Sequence, residues 1–229
     1  MNSMFSFLRS SIGKKILMSL TGLFLCTFLA EHLAGNLLLF LDDGGEMYEK
    51  YSELLVSNPI IRTIEIVLFA SLVGHAVSGV IVWLENRRAR PEKYKQYRLS
   101  DTTELASRMT MLSGSVLFFF LVVHLGSFFW PLRITGDEHS AYELVQQKFS
   151  NPWFSAFYVL AIVLMAYHLR HGFQSAFQTL GLRGKGYNRI LNAIAFVFWF
   201  VIPLGFASIP VYFYFFRRLA ESSFMVGML

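Results

Sequence analysis

Apolar residues in this chain gather into five long runs, and charge or proline closes each of them. The first covers about residues 14–41, from Lys14 and Lys15 to the acidic pair Asp42 and Asp43, and contains GLFLCTFLAEHLAGNLLLF. The second, about 60–84, opens at Asn58 and Pro59, a pair suited to a helix start, and closes at Glu85, Asn86, Arg87 and Arg88. The third, about 108–132, runs from Arg108 through SVLFFFLVVHLGSFFW to Pro131 and Arg133. The fourth, about 152–180, is entered at Asn151 and Pro152. The fifth, about 190–216, holds Pro203 and Pro210 and is expected to be a bent helix with a packing role. Each run exceeds the roughly 20 residues an α-helix needs to cross about 30 Å of hydrocarbon. The pattern predicts an all-α integral membrane bundle of five transmembrane helices, with residues 1–229 forming one domain.

A signal peptide competes for the first run, with Arg9, Lys14 and Lys15 as its charged leader. Its apolar stretch is long for that role and no small-x-small cleavage site precedes the acidic loop, so it is read as the first span. Composition agrees with a membrane protein: 55% of the 229 residues are hydrophobic, 24 are Phe, and only 15% are charged. The formal net charge of +5 sits between apolar runs instead of along one face, which reads as topology and not as nucleic-acid binding. Thirteen basic residues share one side: Arg9, Lys14, Lys15, Arg87, Arg88, Arg90, Lys93, Lys95, Arg98, Arg108, Arg183, Lys185 and Arg189. The other side has Lys50, Arg62, Arg133, Lys148, Arg217 and Arg218, diluted by acids from Asp42 to Glu53 and by Asp137, Glu138 and Glu143. By the positive-inside rule the N-terminus is cytoplasmic and the C-terminus outside. A single cysteine, Cys26, excludes an intrachain disulfide, a zinc-type cysteine cluster and a CxxCH haem attachment.

Four spans each carry a histidine that a plain lipid-facing helix does not need: His32, His75, His124 and His168. Depth follows from about 1.5 Å per residue along alternating helices. From the outer ends, His32 and His124 lie about 10 to 14 Å deep and His75 and His168 about 20 to 24 Å deep, while His171 lies about 28 Å deep. Two histidines share each level, the arrangement that two six-coordinate haems stacked across a bilayer require, each held by imidazoles from two helices. Gly79 and Gly172 follow His75 and His168 at i+4, on the histidine's own face. They either make room for a porphyrin or allow ordinary close helix packing. Arg170 lies beside a haem propionate or reaches to the headgroups. A proton relay of a transporter is the other reading of four buried histidines. It calls for carboxylates deep in the last three spans, and those have none; Glu31 and Glu65 lie in the outer half. His139 falls in a loop and reads as a surface residue.

The segments FLAEHLAGN, GHAVSGVIVW, FFFLVVHL and YHLRHGFQSAF followed by LGLRG together resemble the five-helix dihaem cytochrome b anchor of bacterial succinate dehydrogenases and fumarate reductases. The resemblance runs over nearly the whole chain. It implies two haem b groups, the inner held by His75 and His168 and the outer by His32 and His124, with menaquinone as the electron partner. It also implies a flavoprotein subunit and an iron-sulfur subunit docked on the cytoplasmic face of the bacterial cytoplasmic membrane, with residues 87–98 available to touch them. For the quinone the family places an acid near the outer end of the first span or the start of the second, and Glu31, Glu53 and Glu65 are the candidates here. The competing class is the quinone-reactive cytochrome b of a hydrogenase or formate dehydrogenase.

Overall fold

A computed structural model describes residues 6, 10–89, 102–136, 139–184, 186 and 188–217, with backbone alone for 102–108 and 217. Of the charges that set the expected orientation, Arg9, Arg90, Lys93, Lys95, Arg98, Asp137, Glu138, Lys185 and Arg218 lie outside the described residues, and with them most of the 87–98 loop.

Side-chain caps fix where the helices begin. The Asn58 side chain accepts from Ile60 N at 2.9 Å, and Asn151 accepts from Trp153 N at 2.9 Å and Phe154 N at 3.2 Å. In both cases proline follows, whose missing N–H would be unpaired in a first turn anyway. The Ser10 hydroxyl accepts from Gly13 N at 3.0 Å, which starts the first helix three residues before Lys14. The elements are α1 (Ser11–Asn36) with a 3-10 turn Leu37–Phe40, α2 (Glu46–Ser57), α3 (Pro59–Arg88), α4 (Thr102–His124), α5 (Ala141–Phe149) and α6 (Pro152–Thr179). The last span joins α7 (Asn188–Phe196) to α8 (Ile202–Val211). The described residues contain no strand. Five stretches are long and apolar enough to cross a membrane: Ser11–Phe40, Pro59–Arg88, Met109–Thr135, Pro152–Thr179 and Asn188–Phe216. The second continues past residue 84 because Glu85 pairs with Lys14 of α1, Arg87 lies over the Trp83 ring at 5.3 Å, and Arg87 and Arg88 suit the negative end of the helix.

π turns replace a plain bend in two spans. They cover Leu125–Phe129 and Pro131–Thr135 after α4, and Val197–Val201 between α7 and α8, with another at Tyr212–Arg217. A proline ring crowds the carbonyl four residues earlier, and a wider turn relieves that clash. For Pro131 and Pro203 those positions, Ser127 and Trp199, fall inside π turns.

The middle of the bundle is α6, packed against α1, α4 and α8. Its buried residues Ser155, Tyr158, Ile162, Leu169, Phe173 and Ala176 recur every three to seven positions and so lie along one stripe. By contrast α3 lies at the edge on α1 and α4, with Ser78 as its one buried residue. Large apolar side chains face outward along every span, Phe119 at 68% exposure among them, as hydrocarbon surroundings require. Trp130 and Trp153 are exposed at one end of the bundle, where indole rings favour the membrane interface.

That end is covered by two short helices that the hydrophobic pattern did not anticipate. Twelve residues of the acidic connector form α2. The Asp43 carboxylate accepts from Gly45 N and Met47 N at 2.9 Å each. Those N–H groups, Met47 first, hold its carboxyl below the usual carboxylate range. The support it gives α2 is therefore present above that range and fades as pH falls through the lowered value. The Glu49 carboxylate accepts from Ala141 N at 3.2 Å and Tyr142 N at 2.5 Å, so α2 caps the start of α5. Ser140 and Glu143 add a capping box to the same turn. Tyr142, Val145 and Phe149 of α5 then join Leu39, Tyr158, Ile209 and Phe213 in one buried cluster. Gly45 is held at φ 95°, and a Cβ there would run into the Tyr142 ring. Gly45→Ala is expected to destabilise this cap by about 1–3 kcal/mol, seen as faster hydrogen exchange in 46–57 and 141–149 with the spans unaffected. Unaltered exchange in both segments would contradict the packing described.

Candidate cofactor site within the bundle

The four span histidines meet as two pairs. His32 of α1 and His124 of α4 have ring centroids 5.9 Å apart with planes at 88°; His75 of α3 and His168 of α6 stand 6.2 Å apart at 79°. Two imidazoles on opposite sides of one metal, each with a nitrogen about 2.0–2.1 Å from it, have centroids about 6.3 Å apart. Both spacings fit an axial pair. Among the described residues no His, Cys, Asp or Glu completes a cluster of three or more around either pair, as a tetrahedral zinc site would require.

Three of the four rings have an oxygen at Nδ1. His75 Nδ1 lies 3.1 Å from the Met18 carbonyl oxygen, His168 Nδ1 3.4 Å from Ser113 Oγ, and His124 Nδ1 3.3 Å from the Tyr158 hydroxyl. A partner that accepts at Nδ1, as the Met18 carbonyl must, keeps the proton there and leaves the Nε2 lone pair free to bind a metal. The Ser113 hydroxyl donates to Thr110 O at 3.1 Å, which leaves its own lone pairs for His168. His32 differs: the Asn36 amide nitrogen is 3.4 Å from its Nδ1 but donates to the His32 carbonyl oxygen at 2.7 Å.

A residue that touches a histidine ring and a histidine keep a constant spacing along three helices. Gly22 and His32 on α1, Gly114 and His124 on α4, and Tyr158 and His168 on α6 are each ten residues apart, about 15 Å of rise. A Cβ on Gly22 would lie 3.0 Å from His75 Cε1, and one on Gly114 3.4 Å from His168 Cε1. These glycines let the His75 and His168 rings rest on the helices that carry His32 and His124. Gly79 and Gly172 do something different: a Cβ on Gly172 would meet nothing within 4 Å, and one on Gly79 only Met18 Sδ at 4.0 Å. Open space therefore lies one turn from His75 and from His168.

A family model described as the succinate dehydrogenase/fumarate reductase transmembrane subunit matches residues 84–204. The chain belongs to that family. No curated protein and no solved structure matches it. The matched stretch of this succinate dehydrogenase/fumarate reductase subunit holds His124 and His168, one member of each ring pair, and the structure brings in His32 and His75 from outside it. Membership makes the chain a multi-pass membrane component of a multisubunit enzyme and separates it from the hydrogenase and formate dehydrogenase cytochromes.

The remaining candidate residues of the subunit fall in different places. Arg170 is two residues past His168, about 200° around α6, exposed, with its guanidinium over the Trp199 ring at 5.3 Å. His171 is half-buried one turn past His168 and joins neither ring pair. Glu31, next to His32, accepts from the Tyr51 hydroxyl at 2.8 Å, and Gly35 admits the Tyr51 ring against α1. Glu65 is clamped by Arg62 at 2.8 Å and Arg133 at 3.1 Å, while Arg133 also donates to the Val56 carbonyl oxygen. Glu53 is exposed along an open groove with Glu49, Ser52 and His139. Sequence reasoning missed Met18, Gly22, Ser113, Gly114 and Tyr158; a ten-residue offset from a histidine was the signal for Gly22, Gly114 and Tyr158, and Met18 and Ser113 carried none.

Proposed function

We propose that this subunit is the dihaem cytochrome b anchor of a bacterial succinate:quinone oxidoreductase, which carries electrons between an iron-sulfur subunit and menaquinone. The observation that carries this reading is the pair of facing histidine couples, with centroids 5.9 and 6.2 Å apart on two levels of one bundle. His75 and His168 would hold the haem nearer the end bearing Lys14 and Arg87, and His32 and His124 the haem nearer the α2–α5 cap. When bound, two b haems supply one-electron carriers reaching from one side of the bilayer to the other. The protein's part is to hold the imidazoles in the Nδ1–H tautomer through Met18, Ser113 and Tyr158, and to leave room at Gly79 and Gly172.

The end with Lys14, Lys15, Arg87, Arg88, Arg183 and Arg189 is assigned to the cytoplasm, where the flavoprotein and iron-sulfur subunits would dock. The α2–α5 cap then faces outward, and quinone reacts beneath it beside His32 and His124. Glu31 suits that chemistry better than Glu65, whose carboxylate two guanidinium groups already neutralise. The test is cofactor stoichiometry of the purified complex. Two protohaems per chain are expected, both low-spin, with strongly anisotropic paramagnetic resonance signals because the ring planes stand at 88° and 79°. One haem or none per chain would overturn the reading.

A further inference from the structure

We infer that Tyr158 is a positioning residue for the outer haem, setting its reduction potential through the Nδ1–H of His124; this rests on the dihaem reading above. The Tyr158 side chain is 4% exposed and lies in ring contact with Phe120, Phe128, Phe149 and Phe154. Its hydroxyl is the polar point of that aromatic wall, and a buried phenol in an apolar span needs a partner. The partner is His124 Nδ1 at 3.3 Å.

The two levels differ in how their ligands are seated. At the inner level both rings have an oxygen on Nδ1, from Met18 and from Ser113. At the outer level the Asn36 contact to His32 comes from an amide nitrogen that already donates to a carbonyl oxygen, so it supplies no acceptor. Among the described contacts, Tyr158 is thus the one acceptor on an outer Nδ1. Accepting from Nδ1–H makes an imidazole a stronger donor at Nε2, which favours the more positive, oxidised metal. Taking that acceptor away favours the reduced form and raises the midpoint potential.

The ring and the hydroxyl have separable duties, and Tyr158→Phe removes only the second. In the assembled complex, Tyr158→Phe is expected to keep two haems, raise the midpoint of one component, change that component's resonance anisotropy and leave the other component unchanged. Phe154→Leu, which alters packing on the Tyr158 ring but keeps the hydroxyl, is expected to leave both midpoints in place. The inference is overturned if Tyr158→Phe leaves both midpoints unmoved, moves the component that His75→Ala removes, or loses the outer haem, since the ring alone should hold the pocket. It is also overturned if Phe154→Leu reproduces the shift. A wild-type complex without two haems would instead refute the dihaem reading itself.

Discussion

Replacing His168 with alanine is expected to remove the inner haem and abolish succinate-linked quinone turnover, while replacing His171 leaves both haems in place. The two histidines are three residues apart on α6 and chemically equivalent in the sequence, so the difference is geometric. The His168 ring faces His75 at 6.2 Å and is seated on Ser113, whereas His171 is half-buried one turn further along and joins neither pair. On the dihaem reading His168→Ala would leave the inner site with a single imidazole, and electrons entering from the iron-sulfur side would have no carrier at that level. Haem content per chain and a redox titration of each variant provide the measurement. A His171→Ala complex lacking a haem, with His168→Ala intact, would reverse the assignment.

A comparable loss is expected from Gly22→Leu, although Gly22 is on α1 and ligates nothing. The His75 ring rests against Gly22, with Cε1 only 3.0 Å and Nδ1 3.3 Å from where a Cβ would be, and the Met18 carbonyl oxygen tethers the same ring. A leucine would push His75 off its seat and away from His168. Overpacking of this kind costs about 1–3 kcal/mol, enough to make the inner pair non-competent while the spans still insert. The outer pair, ten residues further along α1, should be untouched. The expected spectrum is therefore one haem per chain, with the midpoint of the outer component. Two haems with normal midpoints in Gly22→Leu would show that the ring does not depend on this contact.

The five spans and the histidine levels were legible because both depend on one-dimensional quantities: the length of an apolar run and the rise per residue. Depth alone grouped His32 with His124 and His75 with His168, and these are the rings the structure brings together. What lay beyond the sequence depends on azimuth and on docking. Arg170 is two residues past His168, and its guanidinium lies over the Trp199 ring of the last span, a partner that only helix docking supplies. Gly22 and Gly114 look like any small residue in a span until the neighbouring ring is placed against them. The α2 helix reads as a charged connector because its order comes from Asp43 and from Glu49 on the α5 backbone. The α5 helix did leave a local sign, the Ser140–Glu143 capping box, but nine residues are too few to register as a span.

Crossing the pairs between helices also has a consequence for biosynthesis. As the chain leaves the ribosome, α1 and α3 deliver His32 and His75, which are not partners of one another. The outer couple becomes complete only when His124 on α4 has been made, and the inner couple waits a further 44 residues for His168 on α6. A nascent chain therefore holds two histidines without their partner rings until its second half arrives, and it acquires the complete His32–His124 couple before the His75–His168 one.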